Sequence, residues 1–238
     1  KSEDTSIKNM KANPPKLFVI SAPSGTGKTS VFSRAREVLP TLTLSVSCTT
    51  RSHRSGEQNG VDYYFISREI FKKRIKHQDF IEWAEVFGNY YGTSKSAIQE
   101  NHQPGDIIVL DIDVQGTLQL MEKKDIEAQY IFITPPSLEV LKDRLSNRGT
   151  ESAESLKKRL GQAEKELSYK NRYHYSIENN DLETAVDSLL SIIIKKHFQL
   201  TKNTTPDIET ILKKLNIQSL PDNQERIKNI ISNILKTD

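Results

Sequence analysis

Short apolar runs alternate with amphipathic stretches between Lys16 and Leu200, and this alternation limits the possible fold more than any other feature of the chain. Strands are predicted at four apolar runs: Leu17–Ile20, Leu44–Val46, Ile107–Ile112 and Tyr130–Ile133. Helical periodicity is found at Ser30–Leu39, Ser137–Leu145 and Leu182–Phe198. Continuous apolar strands separated by helices are typical of a parallel sheet that is covered on both faces. We therefore predict an α/β fold with a parallel core sheet flanked by helices.

The composition excludes several classes of protein. The 238 residues carry a formal net charge of +3, which is too small to predict a nucleic-acid-binding face. Cys48 is the only cysteine, so the chain can form no internal disulfide and suits a reducing compartment. Lys1–Pro15 lacks the apolar core of a secretory signal, and the longest apolar runs fall short of the roughly 20 residues that span a bilayer. We expect a cytoplasmic protein without nucleic-acid or membrane partners. Homo-oligomerisation stays open.

Two segments interrupt the alternation of strands and helices. Residues 45–93 contain closely spaced aromatics and two glycine turns, which predict a small, partly antiparallel insertion. Residues 144–172 are charged and helical with one apolar face, which predicts a helical lid. The last 38 residues contain Pro206 and Pro221, each just before a helical pattern. The core is predicted to comprise residues 16–44 and 94–200, with the insertion at 45–93 and the lid at about 145–165. Residues 1–15 are predicted to form a flexible N-terminal segment. Residues 201–238 are predicted to form a helical extension without an assigned role.

A strand, a loop and a helix are predicted in succession from Leu17 to Thr29 and beyond. The loop matches the Walker A pattern except that Ala22 replaces the first glycine. Its glycines let backbone N–H groups surround phosphate oxygens, and the following helix adds the positive end of its dipole. In this interpretation Lys28 contacts the β- and γ-phosphates and the Thr29 hydroxyl binds Mg²⁺. The alternative is a glycine turn that binds nothing. The candidate phosphate-binding residues are Ser24, Gly25, Thr26, Gly27, Lys28 and Thr29.

A pair of aspartates follows the apolar run that begins at Ile107. Asp111 could hold Mg²⁺, directly or through a water molecule, because it lies at the end of a predicted core strand. In an extended strand Asp111 and Asp113 face opposite sides. The alternative is that the aspartates cap the next helix, and both interpretations can hold together.

An acceptor site for a phosphate monoester is suggested by Arg51 and Arg54. Two guanidinium groups that converge on one anion suit such a phosphate, although the same fragment taken alone predicts a solvated loop. Glu82 lies in the apolar context Phe80–Ala84. A carboxylate there is either an exposed strand residue or a buried recognition group, and in isolation the pattern slightly favours exposure.

Several motifs taken together resemble the guanylate kinase family, in order and at the family's spacings, from about Lys16 to Phe198. They are Ser45–Arg51, Gly56–Tyr63, Phe80–Ala84, Gly88–Thr93, Leu110–Gly116, Pro135–Ser137, Arg144 and Arg148–Glu151. The resemblance implies a P-loop three-layer fold in which the insertion binds GMP. It also implies phosphoryl transfer from ATP to GMP with Mg²⁺, giving ADP and GDP, in a site closed by the insertion and the lid.

The resemblance also assigns roles to individual residues. It implies that the GMP phosphate is held by Arg51, Arg54, Tyr63 and Tyr91. It implies that guanine is bound by Ser47, Glu82, Thr93 and Asp113. The lid-side arginines around the transferring phosphate are Arg144, Arg148 and Arg159, which with Lys28 form the candidate catalytic set. Asn179 matches a contact near the adenine of ATP.

Two alternatives compete with this interpretation. Guanylate-kinase-like domains of scaffold proteins bind protein partners without catalysis, but here Lys28, Thr29 and the arginines are all present. A P-loop kinase for another nucleotide is the second alternative. Glu82 argues against it, because guanine offers two adjacent N–H donors that adenine lacks.

Overall fold

The computed structural model of the protein describes residues 16–99, 106–123, 125–146 and 153–237. The predicted N-terminal segment 1–15, Arg148 and the first residues after the predicted start of the lid helix lie outside these ranges. The strands are β1 (Lys16–Ser21), β2 (Leu42–Leu44), β3 (Cys48–Thr49), β4 (Tyr64–Phe65), β5 (Phe80–Val86), β6 (Asn89–Ser94), β7 (Ile107–Asp111), β8 (Ala128–Thr134) and β9 (Tyr175–Glu178). The helices are α1 (Lys28–Val38), α2 (Arg68–Lys76), α3 (Lys95–Gln99), α4 (Val114–Met121), α5 (Leu138–Ser146), α6 (Ala153–Leu167), α7 (Leu182–His197), α8 (Ile208–Lys214) and α9 (Pro221–Lys236).

A five-stranded sheet has the order β2-β7-β1-β8-β9. β1 pairs with β7 in parallel, with Lys16 opposite Ile107 and Ile20 opposite Asp111. β8 pairs in parallel with β9. Phe18–Ile20 of β1 and Ile107–Leu110 of β7 are at most 3% exposed. The predicted α/β class with a parallel core sheet and flanking helices is confirmed, because continuous apolar strands require cover on both faces.

One predicted strand lies two residues too late in the chain. The sequence predicts Leu44–Val46, whereas β2 runs from Leu42 to Leu44. Leu42 is 1% exposed, while Val46 is only half-buried. The strand therefore includes the buried Leu42 and ends before the half-buried Val46.

Two compact units divide the described residues, one within 16–21 and 43–130 and the other within 22–42 and 131–237. The first unit contains a four-stranded sheet of order β4-β3-β6-β5, in which β6 is antiparallel to both β3 and β5. Helix α2 packs on it through Phe71, whose ring stacks on that of Phe80 at a centroid distance of 4.4 Å. Cys48 belongs to the same apolar cluster, as expected for a small core residue.

The second unit is mainly helical. Its longest buried face belongs to α7, which packs against both α1 and α9. Helix α9 begins at Pro221, where proline suits the first helical position, and it buries four isoleucines. Arg226 of α9 donates to Asp187 at 2.7 Å and to Glu183 at 2.5 Å, so charged groups join α9 to α7 beside the apolar contact. Helices α5 and α6 share a separate cluster of Leu141, Leu145 and Ala163.

A search for membrane spans among the helices of the described residues finds none that is long and apolar enough to cross a bilayer.

Candidate functional site

The phosphate loop occupies the start of the second unit, immediately before α1. Gly25 and Gly27 have φ angles of 89° and 94°, in the left-handed region that glycine adopts without steric cost. Thr26 N–H donates to Pro23 O at 3.2 Å, which closes the turn between them. Lys28 is the first residue of α1 and Thr29 the second, so both stand where the helix dipole favours an anion. This backbone conformation is the one that the sequence predicts for phosphate binding.

Two of the predicted site residues support the loop from within the second unit. The side-chain amide of Asn179, which is 6% exposed, donates to Thr26 O at 2.8 Å. Arg144 donates from Nη1 to the same oxygen and from Nη2 to Asn179 O, both at 3.0 Å. A Cβ on Gly27 would approach Asn179 Nδ2 to 2.6 Å. The sequence did not reveal this supporting role of Asn179, because the contact joins residues 153 positions apart.

The lid-side arginines are described only in part. Arg159 lies half-buried on α6, whereas Arg148 is outside the described residues. Leu156 and Leu160 of α6 pack on the cluster formed by α5 and Ala163. The apolar face that the sequence predicts for this helix therefore anchors it to α5.

The arginine loop of the first unit is held together by Glu57, a residue to which the sequence analysis gave no role. Glu57 accepts two hydrogen bonds from Arg51, at 2.7 and 3.0 Å, and one from the Arg54 N–H at 2.6 Å. These bonds raise the pKa of Arg51 above its usual value and lower the pKa of Glu57. The turn at Gly56 was the available signal, since it brings Glu57 back toward the arginines.

Two phenols lie beside this loop. The rings of Tyr63 and Tyr91 meet edge to face with centroids 6.0 Å apart, and the Arg51 guanidinium lies 5.5 Å from the Tyr63 ring centroid. Burial, and to a lesser degree the charge of Asp111, raises the pKa of Tyr63 well above its usual value. The phenol therefore stays protonated and can donate to an anion. Three of the four predicted phosphate contacts are thus gathered, and Arg54 stands exposed on the same loop.

Glu82 is the centre of a buried polar group in the first unit. It is 3% exposed, and its Oε1 accepts the Thr93 N–H at 2.8 Å. The Thr93 hydroxyl lies 3.1 Å from the Ser47 hydroxyl. Burial raises the pKa of Glu82 to about 7, the Thr93 hydrogen bond opposes this shift, and the negative charge of Asp113 adds to it. Four residues predicted to bind guanine are therefore close together or electrostatically coupled.

The slight preference for an exposed Glu82, taken from the local pattern alone, was wrong. The pairing of β5 with β6 is irregular between Phe80 and Glu82, and Phe80, Ile81 and Glu82 are all buried. A bulge breaks the alternation of inward and outward side chains. Alternation resumes afterwards with Glu82 on the inward face and Trp83 outward.

The two aspartates that follow Ile107 have separate positions. Asp113 is the N-cap of α4 and accepts the Gly116 N–H at 2.7 Å, so the capping interpretation is confirmed for it. Asp111 ends β7 opposite Ile20 and is half-buried. Within the described ranges, no group of three or more His, Cys, Asp or Glu side chains is placed to hold a metal ion. A metal here would need oxygen ligands from a bound substrate as well as from the protein.

Known proteins resemble this chain in sequence and in fold. The family model described as guanylate kinase matches residues 14–196. The guanylate kinase of Protochlamydia amoebophila is 46% identical over 186 residues, which are 78% of this chain and 93% of that protein. That of Desulfotalea psychrophila is 48% identical over 181 residues, 76% of this chain and 89% of its own length. The crystal structure of guanylate kinase from Anaplasma phagocytophilum superposes with a TM-score of 0.63 at 34% identity, covering 78% of this chain and 87% of that one. This chain belongs to the guanylate kinase family.

Proposed function

We propose that the protein transfers a phosphoryl group from ATP to GMP and gives ADP and GDP. The observation that carries the proposal is the buried carboxylate of Glu82, bonded to Thr93 on one oxygen. A buried carboxylate is costly unless it is hydrogen-bonded, and guanine presents N1–H and N2–H₂ donors side by side. Adenine lacks this donor pair, so AMP would leave the carboxylate without its partners.

The remaining contacts to GMP follow from the same unit. The hydroxyls of Ser47 and Thr93 can donate hydrogen bonds to guanine O6 or N7. The carboxylate of Asp113 can be a second acceptor for the N–H groups of the base. Arg51, with its fork held by Glu57, and the phenol of Tyr63 can donate to the phosphate. We propose the same for the two further predicted contacts, Arg54 and Tyr91.

The phosphate loop supplies the ATP half of the reaction. In our proposal the N–H groups of Ser24–Thr29 surround the β- and γ-phosphates, and Lys28 neutralises charge on the transferring group. Arg144 and Asn179 hold the loop through Thr26 O. We propose that Arg148 and Arg159 add positive charge, and that Asn179 lies near adenine.

Mg²⁺ fits the donor set of this chain. Thr29, in the first turn of α1, would provide a hydroxyl ligand, and Asp111 would provide a carboxylate for a metal-bound water. Mg²⁺ commonly takes one or two protein groups together with substrate phosphates, and a hydroxyl and a carboxylate are oxygen donors of the kind it prefers. When bound, the ion supplies charge neutralisation at the β- and γ-phosphate oxygens.

No general base is needed, because the GMP phosphate is already ionised at neutral pH and its oxygen is the nucleophile. The protein contributes by holding donor and acceptor in line and by offsetting negative charge in the transition state. In this proposal the buried polar group around Glu82 holds the guanine base of GMP. The loop in which Arg51 is bonded to Glu57 holds the phosphate of GMP.

The proposal is tested by ADP production with ATP and Mg²⁺, offering GMP, dGMP, AMP, CMP and UMP in turn. We expect kcat/KM for GMP to exceed that for AMP by about 10⁴-fold or more, because a site built for hydrogen-bonding groups rejects analogues that lack them. Turnover with another base would overturn the role of Glu82. Folded protein that turns over none of the five nucleotides would favour a binding module.

A further inference from the structure

Gly116, the third residue of α4, lies directly against the carboxylate of Glu82. The residue is buried, and an ideal Cβ on it would overlap with Glu82 Oε2 and lie 2.8 Å from Ile112 Cγ2. Alanine is the better residue for a helix interior. Helix propensity therefore does not explain a glycine at this position, whereas the close approach of the carboxylate does.

The backbone of the same residue holds a second carboxylate. The Gly116 N–H donates to Asp113 Oδ1 at 2.7 Å. Gly116 thus contacts both acidic side chains that we propose to bind guanine. Its N–H donates to Asp113, and the Glu82 carboxylate occupies the space that a side chain at position 116 would need. We infer that Gly116 is a positioning residue that determines where the carboxylates of Glu82 and Asp113 stand, and thereby the selectivity for guanine. This inference rests on the proposed function for what the carboxylates bind.

The surroundings indicate which group would yield if Gly116 carried a methyl group. Ile112 is 5% exposed, and the backbone of Glu82 is paired with Thr93 of β6, so neither moves without disturbing packed structure. The Glu82 carboxylate is the end of a flexible side chain. An alanine would therefore displace the carboxylate, and with it the hydrogen bond from the Thr93 N–H. Base recognition would change more than the fold, which has to accommodate only the contact with Ile112 Cγ2.

The test compares full-length Gly116→Ala with wild type in steady-state assays with GMP, IMP and ATP. IMP carries the same O6 and N1–H as GMP but lacks the 2-amino group, so it reports on half of the donor pair. We expect the KM for GMP to rise by about tenfold or more, as for loss of a hydrogen bond to a charged group. We also expect the preference for GMP over IMP to fall, with the KM for ATP unchanged.

The matched control is the same substitution at Gly161, an exposed helical glycine where a Cβ meets nothing within 4 Å. Gly161→Ala should leave both the KM for GMP and the GMP-to-IMP preference as in wild type. In a Glu82→Ala background, Gly116→Ala should add no further rise in the KM for GMP, because the displaced group is absent. A wild-type KM in Gly116→Ala, or an equal rise in the Glu82→Ala background, would overturn the inference.

Thermal unfolding keeps the inference testable if Gly116→Ala does not fold. Overlap with Glu82 predicts that Gly116→Ala lowers the unfolding temperature less in the Glu82→Ala background than in wild type, because only the contact with Ile112 Cγ2 then remains. A double variant that fails to fold would show that glycine is required for another reason, and the inference would fall. If wild type transfers no phosphate to GMP, the proposed function fails, whereas this thermal coupling between residues 82 and 116 can still be measured.

Discussion

Substituting Glu82 by glutamine should change the pH dependence of folding stability in a defined direction. Burial raises the pKa of Glu82 from the ordinary value of 4.5 to about 7. Between these values the folded protein holds a proton that the unfolded chain has released. The stability that this group contributes is therefore fully present below pH 4.5 and is lost as the pH rises through 7. Glutamine does not titrate, so the variant lacks this loss.

The magnitude follows from the size of the shift. A difference of about 2.5 units, at about 1.36 kcal/mol per unit, corresponds to about 3 kcal/mol. Glu82→Gln should therefore gain up to about 3 kcal/mol in free energy of unfolding relative to wild type between pH 5 and pH 8. The same substitution should cause loss of GMP binding. A glutamine amide has only one acceptor oxygen, so it cannot accept hydrogen bonds from both N1–H and N2–H₂ of guanine as the carboxylate does.

Urea unfolding of the apoprotein at several pH values between 5 and 8 measures this difference. The control is Glu85→Gln, on the same strand, whose side chain is 45% exposed. Its difference from wild type should stay within about 0.5 kcal/mol across the range. Parallel pH profiles for wild type and Glu82→Gln would refute the reasoning, because they would mean that Glu82 titrates at the same pH in the folded and unfolded protein.

Three further predictions concern the loop, the arginines and the tail. Lys28→Ala should keep the circular dichroism spectrum and lose kcat by about 10³-fold or more, whereas retained turnover would remove Lys28 from the reaction. Glu57→Gln should raise the KM for GMP several-fold and leave the KM for ATP unchanged, because the Arg51 guanidinium is no longer held by a carboxylate. An unchanged KM for GMP would show that Glu57 does not position Arg51 for the phosphate. Arg226→Ala should lower the free energy of unfolding, measured in urea, by about 1 kcal/mol. The effect is small because the ion pair with Glu183 is partly exposed to solvent. An unchanged free energy of unfolding would mean that α9 is held by apolar contacts alone.

The fold and the phosphate loop could be predicted because their signals are local. An apolar run specifies a buried strand, and the glycines before Lys28 specify a turn with left-handed backbone conformation. The start of α9 followed in the same way from Pro221. Local pattern placed β2 two residues late, since it cannot show which of several apolar residues is covered by distant structure.

The finer structure of the site depends on contacts between distant residues, and these were not accessible from the pattern. The bulge that turns Glu82 inward arises from its pairing with β6. Asn179 holds Thr26 across 153 positions of the chain. The space at Gly116 is significant only because Glu82 lies beside it. The assignments of individual site residues remain predictions until they are tested by substitution.

The measurement that tests the central claim most directly is transfer of label from [γ-³²P]ATP in the presence of Mg²⁺ and GMP, followed by separation of the products. We expect the label in the β-phosphate of GDP, in an amount equal to the ADP formed, and we expect none when AMP replaces GMP. Label released as inorganic phosphate, or absent from GDP while the protein is folded, would contradict the proposal that this protein transfers a phosphoryl group from ATP to GMP.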